Sequence, residues 1–320
     1  VLTVRCGRRV NRFFLFGGRD ESSAALIQGS TFAGVLLDEA ALMPRSFVEQ
    51  ACARCSVAGS KLWMNCNPES PQHWLYREWI CKAEEKRALY LHFTMEDNPA
   101  LTAEIRERYE HCYSGIFYRR FVLGQWAAAE GRIYDFFERE QFCRPVPAGE
   151  LERWRVSVDY GTANPASFGL WGLRNGVWYR VKEFYYNSRT EGRQKTDAEY
   201  VEDLGRLLDG RRAETVTVDP SAASFITALR QAGYPVRKAD NDVLTGIRMT
   251  ADALKSGRVV ICEPCEDCLR EMETYCWESG ARDRPKKEND HAMDDLRYFV
   301  MSISAPRGGG FAATWVEREN

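Results

Sequence analysis

Two alternating apolar strands each run straight into an aspartate, RWRVSVDYG at Asp159 and ETVTVD at Asp219, and they set the strictest condition on what this chain can fold into. The elements around them follow a definite order. ASFGLWGL and GVWYRVKEFYY read as a hairpin closed by RNG, and TDAEYVEDLGRLLDG as a capped amphipathic helix. SAASFITALRQAG is a helix with a glycine stop. A short strand at 234–238, a helix over 243–256, the strand GRVVIC and helices around 265–277 and 290–302 complete this half.

Three antiparallel strands followed by alternating helix and strand is the order of an RNase H-like sheet. In that order the first and fourth strands lie side by side and parallel, so Asp159 and Asp219 meet at one end. Carboxylates that close repel, and one pKa rises unless a divalent cation neutralises them, which favours a metal site. A turn after a strand also recruits aspartate for its own geometry. The stretch NDHAMDDLRYF adds a third acidic element. His291 and Asp294, three apart, share one helix face with Asp290, while Met293, Leu296 and Val300 form an apolar stripe. Asp295, four residues from His291, could reach the same site by spacing alone.

The first half centres on GVLLDEAALMP, where a buried strand delivers Asp38 and Glu39 to its carboxyl end and breaks into a turn. In a nucleotide-hydrolysing motor this is the Walker B arrangement: one acid holds magnesium and the next orients the attacking water. No GxxxxGK[ST] phosphate loop occurs in the sequence. Strands around NRFFLFG, GVLLDEA and SKLWMNCNP, with a helix over 44–55, give a βαβ-like organisation, and helices are expected over 74–87 and 99–123. VLTVRCGRRV begins in mid-pattern, as a strand already inside a domain.

With 44% hydrophobic and 12% aromatic residues in 320, two cores can be filled. A net charge of −2 gives no general basic field, so nucleic-acid contact falls to local patches. Arg5, Arg8, Arg9 and Arg12, then Arg119 with Arg120, then the segment 282–287, are such patches. Eleven cysteines, no hydrophobic leader and no long apolar run indicate a reducing cytoplasm and no membrane role. Cys262, Cys265, Cys268 and Cys276 have a metal-like spacing. Yet Cys265, Cys268, Met272, Tyr275 and Cys276 recur at helical intervals and read as a buried stripe. Trp63, Trp74 and Trp79 read as core aromatics.

In order along the chain, GVLLDEA, MNCNPESPQHWLY, VSVDYGTANPASFGLWG, VTVDPSAASF and DHAMDDLRY resemble the large terminase subunit of tailed bacteriophages. The resemblance runs from about residue 12 to about residue 303, and DYGTANP followed by HAMDxLRY is its most specific part. It implies an α/β chain: a partial P-loop-type ATPase domain at 1–126 lacking the Walker A loop, a linker at 127–153, an RNase H-like mixed-sheet nuclease domain at 154–304 and a flexible tail at 305–320. Asp38 and Glu39 match the family's Walker B acids, and residues 65–68, with Asn67, the segment coupling hydrolysis to DNA movement. Asp159, Asp219 and Asp294 match the nuclease metal ligands, with His291 as auxiliary ligand or proton-transfer group. Asp295 stands where the family usually has alanine, so Asp294 ranks first as third ligand on the family match and Asp295 stays the alternative by spacing.

The implied activity is two-metal cleavage of concatemeric double-stranded viral DNA with Mg2+ or Mn2+, in the host cytoplasm. ATP with Mg2+ would act only in a longer protein carrying the phosphate loop. Implied partners are DNA, the terminase small subunit and the portal protein, in a ring oligomer, with no membrane. The rival readings are a stand-alone RNase H-like nuclease or resolvase, and an inactive structural component of the packaging complex.

Overall fold

A computed structural model describes residues 1–278 and 283–304. The expected tail and the Arg282 end of the basic segment lie outside the described residues. The chain divides into two compact units, Val1–Thr102 with Tyr118–Ala129, and Ala103–Phe117 with residues from 130 onward. Among the described residues no helix is long and apolar enough to cross a membrane.

In the first unit, strands β1 (Leu2–Cys6) and β2 (Arg9–Phe13) form an antiparallel hairpin whose side chains are all exposed. The strand expected at NRFFLFG ends at Phe13. Strands β3 (Gly34–Leu37) and β4 (Lys61–Met64) pair in parallel and are joined through helix α1 (Arg45–Arg54). Phe47, Val48 and Ala51 of α1 pack with Ile27, Leu37, Ala40 and Leu75 in a small core. Trp74 and Trp79 lie against that core, but Trp63 is 56% exposed. Strand alternation turns Leu62 and Met64 inward and Trp63 outward.

The helix expected over 74–87 is reduced to one wide turn at Tyr76–Ile80, closed by Cys81 N–H donating to the Tyr76 carbonyl at 2.8 Å. Leu75 is buried there but nothing in Tyr76–Ile80 is, so no apolar stripe extends the helix. The helix expected over 99–123 is split. Its first part is α2 (Ala103–Cys112); after a break, the left-handed Gly115, at φ 52°, opens the short α3 (Gly115–Phe117) in the second unit, and the first unit's separate wide turn is Tyr118–Val122.

Among the described residues the second unit holds a seven-stranded sheet in the order β10-β9-β6-β7-β8-β11-β5. A short helix α4 (Arg139–Phe142) leads into β5 (Cys143–Arg144), the edge strand. Strands β6 (Arg153–Asp159), β7 (Ala166–Arg174) and β8 (Val177–Tyr186) form an antiparallel meander. Its RNG turn places Asn175 at φ 50° and Gly176 at φ 79°, the left-handed pair a tight hairpin needs. Strand β9 (Ala213–Val218) lies parallel to β6, and β10 (Val236–Lys238) parallel to β9. Beyond β8 comes β11 (Val259–Cys262), parallel to both β8 and β5.

Helices cover both faces. On one side lie α5 (Asp197–Leu208) and α6 (Ala223–Gln231), with Tyr200, Leu204 and Phe225 against Val156, Val158, Phe168 and Leu170. Helix α5 begins at a capping box in which Thr196 and Glu199 satisfy each other's backbone N–H groups. Helices α7 (Val243–Lys255), α8 (Glu266–Thr274) and α9 (His291–Ser304) complete the unit, and α9 packs on β6 and β7. Phe299 of α9 stacks on Trp171 with ring centroids 3.8 Å apart.

Strand alternation turns Ser157, Ser167, Gly169 and Trp171 toward α9, and this face is built around a charge. The Asp295 carboxylate, fully buried, accepts hydrogen bonds from Ser157 Oγ at 2.8 Å, Ser167 Oγ and both terminal nitrogens of the buried Arg180, one at 2.9 Å. Trp171 Nε1 donates to Ser157 Oγ at 2.8 Å. A Cβ on Gly169 would stand 2.5 Å from Arg180 Nη1, so glycine makes the room for the pair. Removing one partner leaves an uncompensated buried charge, so Asp295→Ala is expected to lower unfolding free energy by about 3–5 kcal/mol in urea denaturation. Arg180→Met with Asp295→Leu should recover most of it. A loss below about 1 kcal/mol for Asp295→Ala would show that the pair does not seat the helix.

Candidate active site

The parallel pairing of β6 and β9 brings the carboxyl ends of both strands together. Asp159 closes β6, and Asp219 directly follows β9, its N–H donating to the Val158 carbonyl at 3.4 Å. The amino-terminal turn of α9 lies at the same end and presents His291 and Asp294, where the positive end of the helix dipole favours acids. Asp159, Asp219, His291 and Asp294 line one open cavity of about 1100 Å³.

The four groups are held by different neighbours. His291 Nδ1 lies 2.8 Å from Asp159 Oδ2. Asp219 accepts from Tyr298 OH at 3.2 Å, from Ser221 N–H at 2.8 Å and from Asn241 Nδ2 at 3.4 Å. Asp294 accepts from Arg297 Nη2 at 2.9 Å, and Lys287 Nζ stands 3.7 Å from it and 3.2 Å from Asp290. Arg297 and Tyr298 were invisible as site residues in the sequence, although LRY places them three and four residues after Asp294. Asp295 faces the sheet and is saturated by Arg180 and the serines, so of the two adjacent acids Asp294 lines the cavity.

Three carboxylates from three elements on an open cavity suit a hard divalent cation, which takes oxygen ligands. Among the described residues no three carboxylate, imidazole or thiol groups stand at cation-ligand spacing, so the acids line a cavity and do not form a finished cage. Burial pushes Asp159 up to about 7, against the opposing pull of its hydrogen bond to His291. For His291 burial alone would lower the pKa, and the hydrogen bond and charge of Asp159, with Asp290 and Glu271 nearby, raise it.

On α8, Cys268 and Met272 are buried, with Cys265 at the helix start and Tyr275 at its end, as the helical interval predicts, but the helix stops at Thr274, so Cys276 falls outside it in a bridge to Arg132 and is only partly buried. Burial pushes Cys262 up to about 12 and raises Cys265 and Cys268, favouring neutral thiols. Cys265 Sγ lies 3.2 Å from the Arg180 carbonyl.

The first unit has its own strand-end acids. Asp38 follows β3, and Glu39 adopts a left-handed conformation at φ 56°, uncommon for a non-glycine residue. Its N–H donates to Asn65 Oδ1 at 2.8 Å, and Ala40 N–H donates to the Asn65 carbonyl at 2.8 Å. Asn67 Nδ2 lies 3.4 Å from Glu39 Oε2. The segment after β4 is thereby tied to the acid after β3.

Residues 10–141 match the family described as terminase large subunit, T4likevirus-type, N-terminal, and residues 172–302 match the terminase RNaseH-like domain. The large terminase from a thermophilic bacteriophage is 51% identical, with a TM-score of 0.89 over 94% of this chain and 76% of that chain. The same terminase in complex with ADP gives 48% identity and a TM-score of 0.87 over 96% and 77% of the two chains. Its complex with ATP-gamma-S gives 49% and 0.85 over 93% and 75%. No curated protein sequence matches. The chain belongs to the bacteriophage terminase large-subunit family.

The raised pKa values make stability depend on pH. Between the ordinary carboxylate value of 3.8 and about 7, folded Asp159 keeps a proton that the unfolded chain releases. His291, raised by the ionised Asp159 carboxylate, keeps its proton above its ordinary 6.5 once Asp159 has ionised, so stability falls as pH rises first through the Asp159 step and then through that of His291. Thermal melts without divalent cations are expected to decline from pH 5 to pH 8, and Asp159→Asn to flatten that decline. A wild-type profile rising over the same range would refute the assignment of buried protons to this pair.

Proposed function

We propose that the second unit is a divalent-cation-dependent endonuclease that cuts concatemeric double-stranded viral DNA during packaging. The observation that carries this reading is the meeting of Asp159, Asp219 and Asp294, from two parallel strands and a helix, on one cavity with His291. Asp159, Asp219 and Asp294 would hold Mg2+ or Mn2+. Two such ions supply an activated water and stabilise the leaving oxygen in phosphodiester hydrolysis. His291 is placed to hold a proton at Nδ1 against Asp159 and to pass it on as the bond breaks. Tyr298 and Arg297 orient Asp219 and Asp294. The cavity wall is acidic, with Glu191, Asp267, Glu288 and Asp290 beside the three proposed ligands, so bound cations would have to offset that charge before Arg189, Arg270 and Lys287 could meet DNA phosphates.

In a protein that also holds a phosphate loop, Asp38 would hold the magnesium of ATP and Glu39 orient the attacking water, with Asn67 sensing that carboxylate. The complexes of the thermophilic bacteriophage terminase with ADP and ATP-gamma-S support this part of the reading. The proposed partners are DNA, the terminase small subunit and the portal protein, around which a ring of large subunits would assemble in the host cytoplasm.

Plasmid cleavage with Mn2+ tests the nuclease. The wild-type protein should nick and linearise supercoiled DNA and stop on addition of EDTA, and Asp159→Ala, Asp219→Ala and Asp294→Ala should each fall to background while remaining folded. Cleavage that persists in EDTA, or that survives Asp294→Ala, would defeat the proposed mechanism. In the nucleotide site, Glu39→Gln should abolish Mg2+-dependent ATP turnover by a form carrying the phosphate loop, and unchanged turnover would remove Glu39 from its role.

A further inference from the structure

Helix α8 carries a buried acid among its apolar residues. Glu271 is 0% exposed, one residue before Met272 and three after Cys268. Its Oε1 accepts from Tyr185 OH on β8 at 2.7 Å, and its Oε2 accepts from the Ala292 backbone N–H at 2.6 Å. Ala292 follows His291 directly and precedes Asp294 by two residues. Its N–H is one of the helix-start donors that have no partner inside α9, and here a side chain from another helix takes it. Burying a carboxylate costs several kcal/mol unless it is hydrogen-bonded, so an acid at this depth implies that the bonds it makes are needed. Tyr185 also lines the cavity, so the bridge runs from the cavity wall on β8 to the turn of α9 that bears His291.

We propose that Glu271 is a positioning residue of the nuclease, pinning the first turn of α9 through Ala292 so that His291 meets Asp159 and Asp294 faces the cavity. The proposal rests on the nuclease reading above. Glutamine keeps an acceptor for the Ala292 N–H but not the charge that strengthens that bond, and its amide N–H meets Tyr185 only if the hydroxyl reverses from donor to acceptor.

The test compares Glu271→Gln with Tyr185→Phe, and with Glu273→Gln, which alters an acid of the same helix paired with Arg139. For Glu271→Gln, kcat for plasmid cleavage should fall about 10-fold or more, with KM for DNA little changed, and Mn2+ titrated calorimetrically should bind more weakly. In protein with 15N-labelled histidine, the His291 ring signals should move in Glu271→Gln and, to a lesser extent, in Tyr185→Phe. Glu273→Gln should leave all three readouts at wild-type values. A lower melting temperature with unchanged kcat, Mn2+ affinity and His291 signals would reduce Glu271 to a structural role and overturn the proposal. Should Glu271→Gln fail to fold, Tyr185→Phe decides, and unmoved His291 signals there overturn it. Were the wild-type protein itself not to cleave DNA, the nuclease reading would fall, while the His291 signals would still report whether Glu271 sets that turn.

Discussion

The buried ion pair between Arg180 and Asp295 sets how α9 sits on the sheet of the second unit, and the proposed nuclease site depends on that setting. It joins β8 to α9 across the middle of the sheet face, with Ser157 and Ser167 filling the remaining acceptor positions of the carboxylate. A buried pair of this kind is poor evidence for stability but good evidence for register, because an apolar contact could slide or rotate and this one cannot. Once Asp295 is fixed toward the sheet, the helix geometry turns Asp294 about 100° away from it, toward the cavity. The adjacent acids therefore divide two positions, one holding the helix and the other facing the cavity.

The same arrangement extends outward through further buried polar groups, although Arg180 Nε itself has no hydrogen-bond partner among the described residues. Arg180 also reaches Glu183 at 3.2 Å, and the Glu183 carboxylate accepts from the N–H groups of Asp267 and Cys268 at the start of α8. Glu271 further along α8 accepts from Ala292 at the start of α9. Two helix starts are thus satisfied by buried carboxylates rather than by local caps. On the opposite sheet face the packing is apolar and aromatic, with Tyr200 and Phe225 against Phe168. One face stabilises and the other orients.

Much of this was legible in the sequence because it follows from short periods. The alternation in RWRVSVD and ETVTV fixed which residues end the strands, and the strand order made β6 and β9 neighbours. The RNG turn and the Thr196 cap announced themselves by residue type. What spacing could not decide was Asp294 against Asp295, since the deciding residue, Arg180, lies 115 positions from Asp295 along the chain. Glu271 was hidden for the same reason, as its partners sit on β8 and α9. The break ahead of Gly115 and the outward Trp63 were missed because glycine inside a helical pattern is tolerated, and because a two-stranded sheet leaves one face uncovered.

The central claim is that α9 is turned so that Asp294, and not Asp295, completes a cation site with Asp159 and Asp219. Crystals of the protein soaked in Mn2+, with anomalous scattering recorded, measure this directly. The account predicts manganese peaks enclosed by Asp159, Asp219 and Asp294, with Asp295 still bonded to Arg180. Manganese bound to Asp295, or ordered away from these three carboxylates, would contradict it.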